Sequence, residues 1–250
     1  MEYVYDGTFD GLLCCIFRAF ERREDPDEVH PCMPAQLSML GEPVRVQTDA
    51  ARARRVEAGI VRTAGVQALC HVRDAVFSCN PHAGRDALRY ARLVFRYGPA
   101  VHDLLTDDTL LRVRETSQRL WTETHRLREF LRFRELANGV FIAEMTPDND
   151  VTELLMPHFA DRFGDMPFVL HDRGRQKAGV WDTHTWVLAS SERMQLPPMH
   201  AREAEYASLW KTFYDAVAIR ERNNPRLRRR FMPQKYWRDL PEMQERAVFR

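Results

Sequence analysis

Lysine is nearly absent from this chain. Only Lys177, Lys211 and Lys235 break a pattern in which every other one of the 37 cationic side chains is arginine. A genome-wide composition can produce that bias, but it changes the chemistry, because an arginine fork binds carboxylate and phosphate bidentately where lysine is a point charge. Metal-binding cysteine spacing is also missing. The five cysteines (Cys14, Cys15, Cys32, Cys70, Cys79) contain no C-x-x-C pair, so neither a zinc site nor an iron–sulfur cluster is supported. An odd number of thiols fits a reducing compartment. Long apolar runs are lacking as well: Leu12 to Phe17 is far too short to span a bilayer. Glu2, Asp6 and Asp10 stand where a signal peptide would be basic and then apolar, so a cytoplasmic protein without membrane contact is expected. There is no P-loop, dinucleotide fingerprint, H-E-x-x-H or G-x-S-x-G elbow.

What is present is enough for a core: 250 residues, 44% of them hydrophobic, with no repeat or low-complexity tract. Tyr3 to Tyr5 alternates as a short strand. Thr8 reads as the N-cap of a helix over 9–22, whose apolar positions are Leu12, Leu13, Ile16, Phe17 and Phe20. Pro26, Pro31 and Pro34 mark a loop. A strand is expected from Pro43 to Gln47, then Thr48 as the cap of a helix over 49–78 with a break near Gly65. Asn80-Pro81 is a boundary. Another helix ends at Gly98-Pro99, and 108–126 is one more.

Near residue 128 the period changes to two. Phe130 to Arg134 and Val140 to Met145 flank Asn138-Gly139, a strong hairpin signal. A helix carrying Leu154, Leu155, His158, Phe159 and Phe163 follows, and then strands at Phe168–His171, Ala178–Trp181 and Thr185–Leu188. The expected class is α+β, largely helical, with a small antiparallel β-β-α-β-β sheet around 128–190. We read residues 1–250 as a single compact domain: a helical half (1–127), a β-rich middle (128–190), and a C-terminal helix with a basic tail (202–250). That helix places Tyr206, Leu209, Trp210, Phe213, Tyr214 and Val217 on one face, and Pro225 stops it.

The tail after it is the chain's densest charge. Residues 220–238 hold eight cations against Glu221 alone, a sum of +7, whereas the whole chain is +1 and the remainder therefore −6. Segregation of this kind is the footprint of a polyanion-binding surface, most commonly one for nucleic acid. Arg226, Arg228, Arg229, Arg230 and Lys235 are the expected phosphate contacts, with Phe231, Tyr236 and Trp237 available for stacking on bases. The competing reading pairs these cations with the acidic remainder, or leaves them solvated. A second basic region, Arg112 to Arg134, sums to +4. Arg128, Arg132 and Arg134 share a face of the expected strand, so Arg132 and Arg134 join the candidate nucleic-acid contacts.

Candidate catalytic groups are few: His158, Asp161 and Arg162 on the helix, and His171, Asp172 and Arg173 at a strand end. A His–carboxylate pair suits general-base work and an arginine suits phosphate. The simpler readings are a core histidine at 158 and a turn residue at 172. Asp148, Asn149, Asp150 and Glu153 lack calcium-loop spacing and read as turn and cap residues. Asp6-Gly7-Thr8-Phe9-Asp10-Gly11 offers a helix N-terminus, but its own carboxylates would repel phosphate. No metal and no cofactor is expected.

Several of these stretches occur together in a recognisable order: Tyr5 to Leu13, Arg132-Phe133 with Val140 to Pro147, His158-Phe159 with Arg162-Phe163, Leu170 to Asp172, and Phe231-Met232-Pro233 with Tyr236-Trp237 and Leu240. In this the chain resembles a bacterial family of uncharacterised proteins associated with DNA metabolism and DNA repair. Its members are typically encoded beside a radical-SAM protein, and some are fused to a domain similar to uracil-DNA glycosylase. The resemblance implies a DNA-repair setting and those two partners, the glycosylase-like one being a separate protein here. It implies no catalytic residues. Radical-SAM chemistry would belong to the partner, since the three-cysteine cluster it needs is not in this sequence.

Overall fold

The computed structural model of the protein describes residues 1–32 and 42–244; Pro34, in the expected loop, lies outside them. The chain divides into two compact units, Met1–Trp121 and Thr122–Arg250.

In the first unit β1 (Glu2–Val4) lies between β2 (Glu28–His30) and β3 (Val44–Arg45), parallel to both. Parallel neighbours need a crossover, and α1 (Phe9–Arg22) supplies it between β1 and β2. The Thr8 hydroxyl accepts the Gly11 N–H at 3.0 Å, capping α1 as expected. Leu12, Leu13 and Ile16 are fully buried with Tyr3. The next cap differs from expectation. Helix α2 (Ala50–Phe77) is capped by Asp49, whose carboxylate accepts from the Ala51 and Arg52 N–H groups at 2.8 and 3.0 Å. Thr48 instead donates its hydroxyl to Asp6 at 2.7 Å, which ties the end of β3 to the loop after β1. Gly65, at φ 82° and ψ 175°, interrupts α2 where the break was expected; that backbone region favours glycine. Helix α3 (Ala83–Tyr97) buries Leu88, Tyr90 and Val94 and ends at Gly98.

Helix α4 (Asp108–Phe130) runs further than the sequence pattern suggested. The Leu131 N–H still reaches the Leu127 carbonyl at 3.0 Å, so the alternation from Phe130 to Arg134 is not a strand. Only β4 (Arg134–Glu135) is extended, and Arg128 lies on a helix rather than on a strand face with Arg132 and Arg134.

The second unit holds a sheet in the order β4-β5-β6-β7-β8, completed by β5 (Phe141–Met145), β6 (Phe168–Asp172), β7 (Lys177–Trp181) and β8 (Trp186–Ser190). The Asn138-Gly139 hairpin forms as expected, with Gly139 at φ 81°. The α+β class holds, but the sheet is not wholly antiparallel: β5 and β6 are parallel. The helix between them, α5 (Thr152–Phe163), carries the chain back to the starting edge, so the next strand runs the same way. Alternation then sorts the side chains. Phe168, Leu170 and Asp172 face α5, where Phe168 and Phe159 rings lie 6.4 Å apart. Ile142, Glu144, Val169, His171 and Ala178 occupy the opposite face, where Ile142, Val169 and Ala178 pack with Leu136. Helices α6 (Glu203–Val217) and α7 (Pro225–Phe231) follow, and then 3₁₀ turns at Gln234–Asp239 and Pro241–Met243. Among the described residues no helix is long and apolar enough to cross a membrane.

Candidate nucleic-acid interface

The basic tail is two different structures. Its first half is α7. Asn224 caps it by accepting the Leu227 N–H at 3.0 Å, and Pro225 stands in the first turn, where its missing N–H costs nothing. Seven residues then display Arg226, Arg228, Arg229 and Arg230, all exposed. Among the described residues none of the four forms an ion pair. The Arg228 guanidinium lies 5.7 Å from the centre of the Trp237 ring.

The second half is tied down. Lys235 donates to Glu123 and to Asp148, both at 2.6 Å. Tyr236 is buried, its ring 5.8 Å from that of Phe130 and its hydroxyl 3.3 Å from the same Glu123 oxygen. Trp237 is half-buried and donates its indole N–H to the Met232 carbonyl at 3.0 Å. Glu123 is the hub. It is buried, and it also accepts the Asp148 N–H at 3.0 Å and the Asn149 N–H and side-chain amide at 2.8 Å each. Burial alone would raise its pKa, but Lys235 and the two backbone donors outweigh that and hold the carboxyl below its ordinary value. Burial likewise opposes the charge on Lys235, yet Asp148 and Glu123 raise its pKa. Burial, helped by Glu123, pushes the Tyr236 phenol up to about 12. Tyr236 is therefore an anchor for the tail, with no free ring face to offer a base.

Arg132 and Arg134 line a groove of about 790 Å³ together with Arg173, Arg238 and Lys211. Its acidic walls are Glu144, Glu203 and Asp239. Most of these cations are matched. Arg132 meets Glu242 at 2.7 Å and stacks 5.3 Å from the centre of Trp210. Arg134 pairs with Glu144, and Arg173 reaches Asp239 at 2.7 Å. Lys211 and Arg238 form no ion pair among the described residues. A second groove of about 600 Å³ lies between the end of α6 and α7, lined by Val217, Ile219, Leu227, Arg228 and Phe231 among others.

The catalytic candidates do not converge. His158 and Arg162 are on α5, which covers one face of the sheet, whereas the ring of His171 projects from the other face. Burial, then Arg128 and Arg162, hold the His158 pKa below its ordinary value, so the imidazole is neutral near pH 7. Asp172 is fully buried on the α5 side. It accepts the Gly174 and Arg175 N–H groups at 2.9 and 3.2 Å and the Arg175 guanidinium at 3.0 Å, as a turn residue does. His171 Nδ1 lies 3.8 Å from Glu144 and has no hydrogen-bond partner among the described residues. Asp148 and Asp150 each hold a lysine, the latter Lys177 at 2.8 Å.

Residues that the sequence did not mark as part of the site include Glu123, Glu144 and Trp210; Arg238 was counted in the basic tail but not among its expected contacts. Nothing in the sequence marked Glu123, whose partners Asp148 and Lys235 lie far along the chain. Trp210 was visible as one position of an amphipathic face, but nothing showed that the face stays open to solvent.

No curated protein and no solved structure matches this chain. A family model does, over residues 81–242. That match takes in α3 to α7, and by it the chain belongs to the family described as a domain of unknown function, DUF4130.

Proposed function

We propose that this protein binds DNA as an accessory factor in DNA repair or DNA metabolism. The observation that carries the reading is α7, whose four exposed arginines on one short capped helix have no carboxylate partner among the described residues. Guanidinium groups without an intramolecular anion are poised to neutralise phosphates, and their display is fixed because the following turn is anchored at Glu123. Lys211 and Arg238 extend the cationic surface along the larger groove. The family resemblance supplies the setting: a radical-SAM protein and a glycosylase-like protein as the partners that perform chemistry on the DNA bound here.

A gel-shift titration with the full chain tests the reading. Binding at low salt that weakens steeply as salt rises is expected, together with loss of the shift when Arg226, Arg228, Arg229 and Arg230 are changed to alanine. No shift at low salt, or a shift indifferent to those changes, refutes it.

A second reading is an interaction module for the radical-SAM partner, without DNA contact. It draws on the pairing of Arg132, Arg134 and Lys235 with carboxylates of their own unit, which leaves those three little charge to offer a phosphate. Co-purification that survives nuclease treatment and is lost on deleting residues 220–250 would favour it.

A further inference from the structure

Helix α6 has no buried residue. The apolar face read from the sequence is open: Tyr206 is 46% exposed, Trp210 39%, and Phe213 56%. On α7, Phe231 is 64% exposed. Contiguous apolar surface of this kind marks a binding site, and here the surface is aromatic and interleaved with cations. Tyr206, Trp210 and Phe213 are spaced by four and three residues, so they form a ladder along one side of α6. The Trp210 and Phe213 rings are 5.8 Å apart. Arg202 lies 5.2 Å from the centre of Tyr206, and Arg132 5.3 Å from that of Trp210. The ladder connects the two grooves. Tyr206 and Trp210 line the larger one with Lys211 and Arg238, while Phe231 lines the smaller one with Arg228 and the end of α6.

We propose that this face of α6 and α7 is a track for single-stranded DNA. Bases stack on Tyr206, Trp210, Phe213 and Phe231, and the phosphates lie against Lys211, Arg238 and the α7 arginines. The inference rests on the DNA-binding reading above and adds the state of the strand. A duplex hides the faces of its bases, so it would use the arginines and leave four exposed rings without a role. An unpaired strand uses both, because each base offers a π-face to an aromatic side chain and each phosphate meets a cation. Charge complementarity selects the same occupant: Arg132 and Arg202, which lie against Trp210 and Tyr206, are paired with Glu242 and Glu205, but Lys211, Arg238 and the α7 arginines beside them form no ion pair among the described residues, a setting that suits a polyanion.

Fluorescence anisotropy with a labelled oligo-dT and with a duplex of equal length, at one salt concentration, tests the proposal on the full chain. The single strand is expected to bind at least about tenfold more tightly. Changing Phe213 and Phe231 to alanine should weaken single-strand binding by about tenfold or more for each ring and leave duplex binding nearly unchanged. Because both rings are exposed, the fold should survive, which a circular dichroism spectrum checks. The Phe213→Leu, Phe231→Leu variant keeps the surface apolar and removes the π-faces, so it should lose single-strand affinity as well. Equal affinity for both DNAs overturns the track while leaving the DNA-binding reading intact. Single-strand binding unchanged in the aromatic variants also overturns it, and assigns the patch to the apolar side of a protein partner. Absence of binding to either DNA overturns both readings.

Discussion

The two halves of the basic tail are both cationic and aromatic, and they have opposite fates. In α7, four arginines stand in solvent with no carboxylate among the described residues to meet them. Four residues further on, Lys235 and Tyr236 converge on a single buried carboxylate, Glu123, which also satisfies three donors from Asp148 and Asn149. Net charge therefore does not report which cations are available to a ligand. What separates the halves is which carboxylates reach them: Glu123 and Asp148 pair with Lys235 in the second half, whereas among the described residues no carboxylate pairs with the arginines of the first. The anchored half fixes the position from which the free half is displayed.

That contrast can be broken from its anchored side first. Tyr236→Ala removes a buried ring packed on Phe130, and we expect a stability loss of about 3–5 kcal/mol, read by urea denaturation. Glu123→Gln comes next. It keeps an acceptor but removes the charge facing Lys235, and should cost about 1–3 kcal/mol by the same measurement.

The same substitution sharpens the comparison through pH. The Glu123 carboxyl is depressed in the folded protein, so its contribution is fully present above the unfolded-state value of about 4.3 and is lost as pH falls through the folded value. Between pH 7 and pH 3 the wild-type denaturation midpoint should therefore fall more steeply than that of Glu123→Gln. Parallel curves would show that Glu123 is not the hub.

The smallest stability effect belongs to the free side. Arg229→Ala should alter stability by no more than about 0.5 kcal/mol, since the side chain touches no partner among the described residues. Its effect should appear instead in DNA affinity and its salt dependence.

Much of the fold was legible, for identifiable reasons. Helix α1 has a period of 3.6 and a Thr8 cap, and the Asn138-Gly139 turn admits few alternatives to a hairpin. Of the β2-β1-β3 sheet, strands were expected at Tyr3–Tyr5 and Pro43–Gln47, but β2 (Glu28–His30) was hidden in the stretch read as a proline-marked loop, and three residues leave no period to detect, so the parallel pairing was not legible. Arg128 was misplaced because Leu127 and Phe130 continue a helical spacing through the start of an alternating run. The parallel β5–β6 pair followed from the α5 crossover, a topological consequence that alternation alone does not express. In the candidate site, the α7 arginines were visible from charge density. The anchoring of Lys235 and Tyr236 was not, since Glu123 lies 112 residues before Lys235. Consecutive positions such as His171 and Asp172 looked like a constellation in one dimension, yet a strand turns them to opposite faces.

The most direct measurement is the salt dependence of DNA affinity for the wild type and for the variant with Arg226, Arg228, Arg229 and Arg230 all changed to alanine. With about 0.7–0.9 counterions released per phosphate contact, the slope of log affinity against log salt should flatten by about three, while the denaturation midpoint stays nearly fixed. An unchanged slope, or a wild-type protein with no affinity at low salt, would contradict the claim that α7 is the surface this protein offers to DNA.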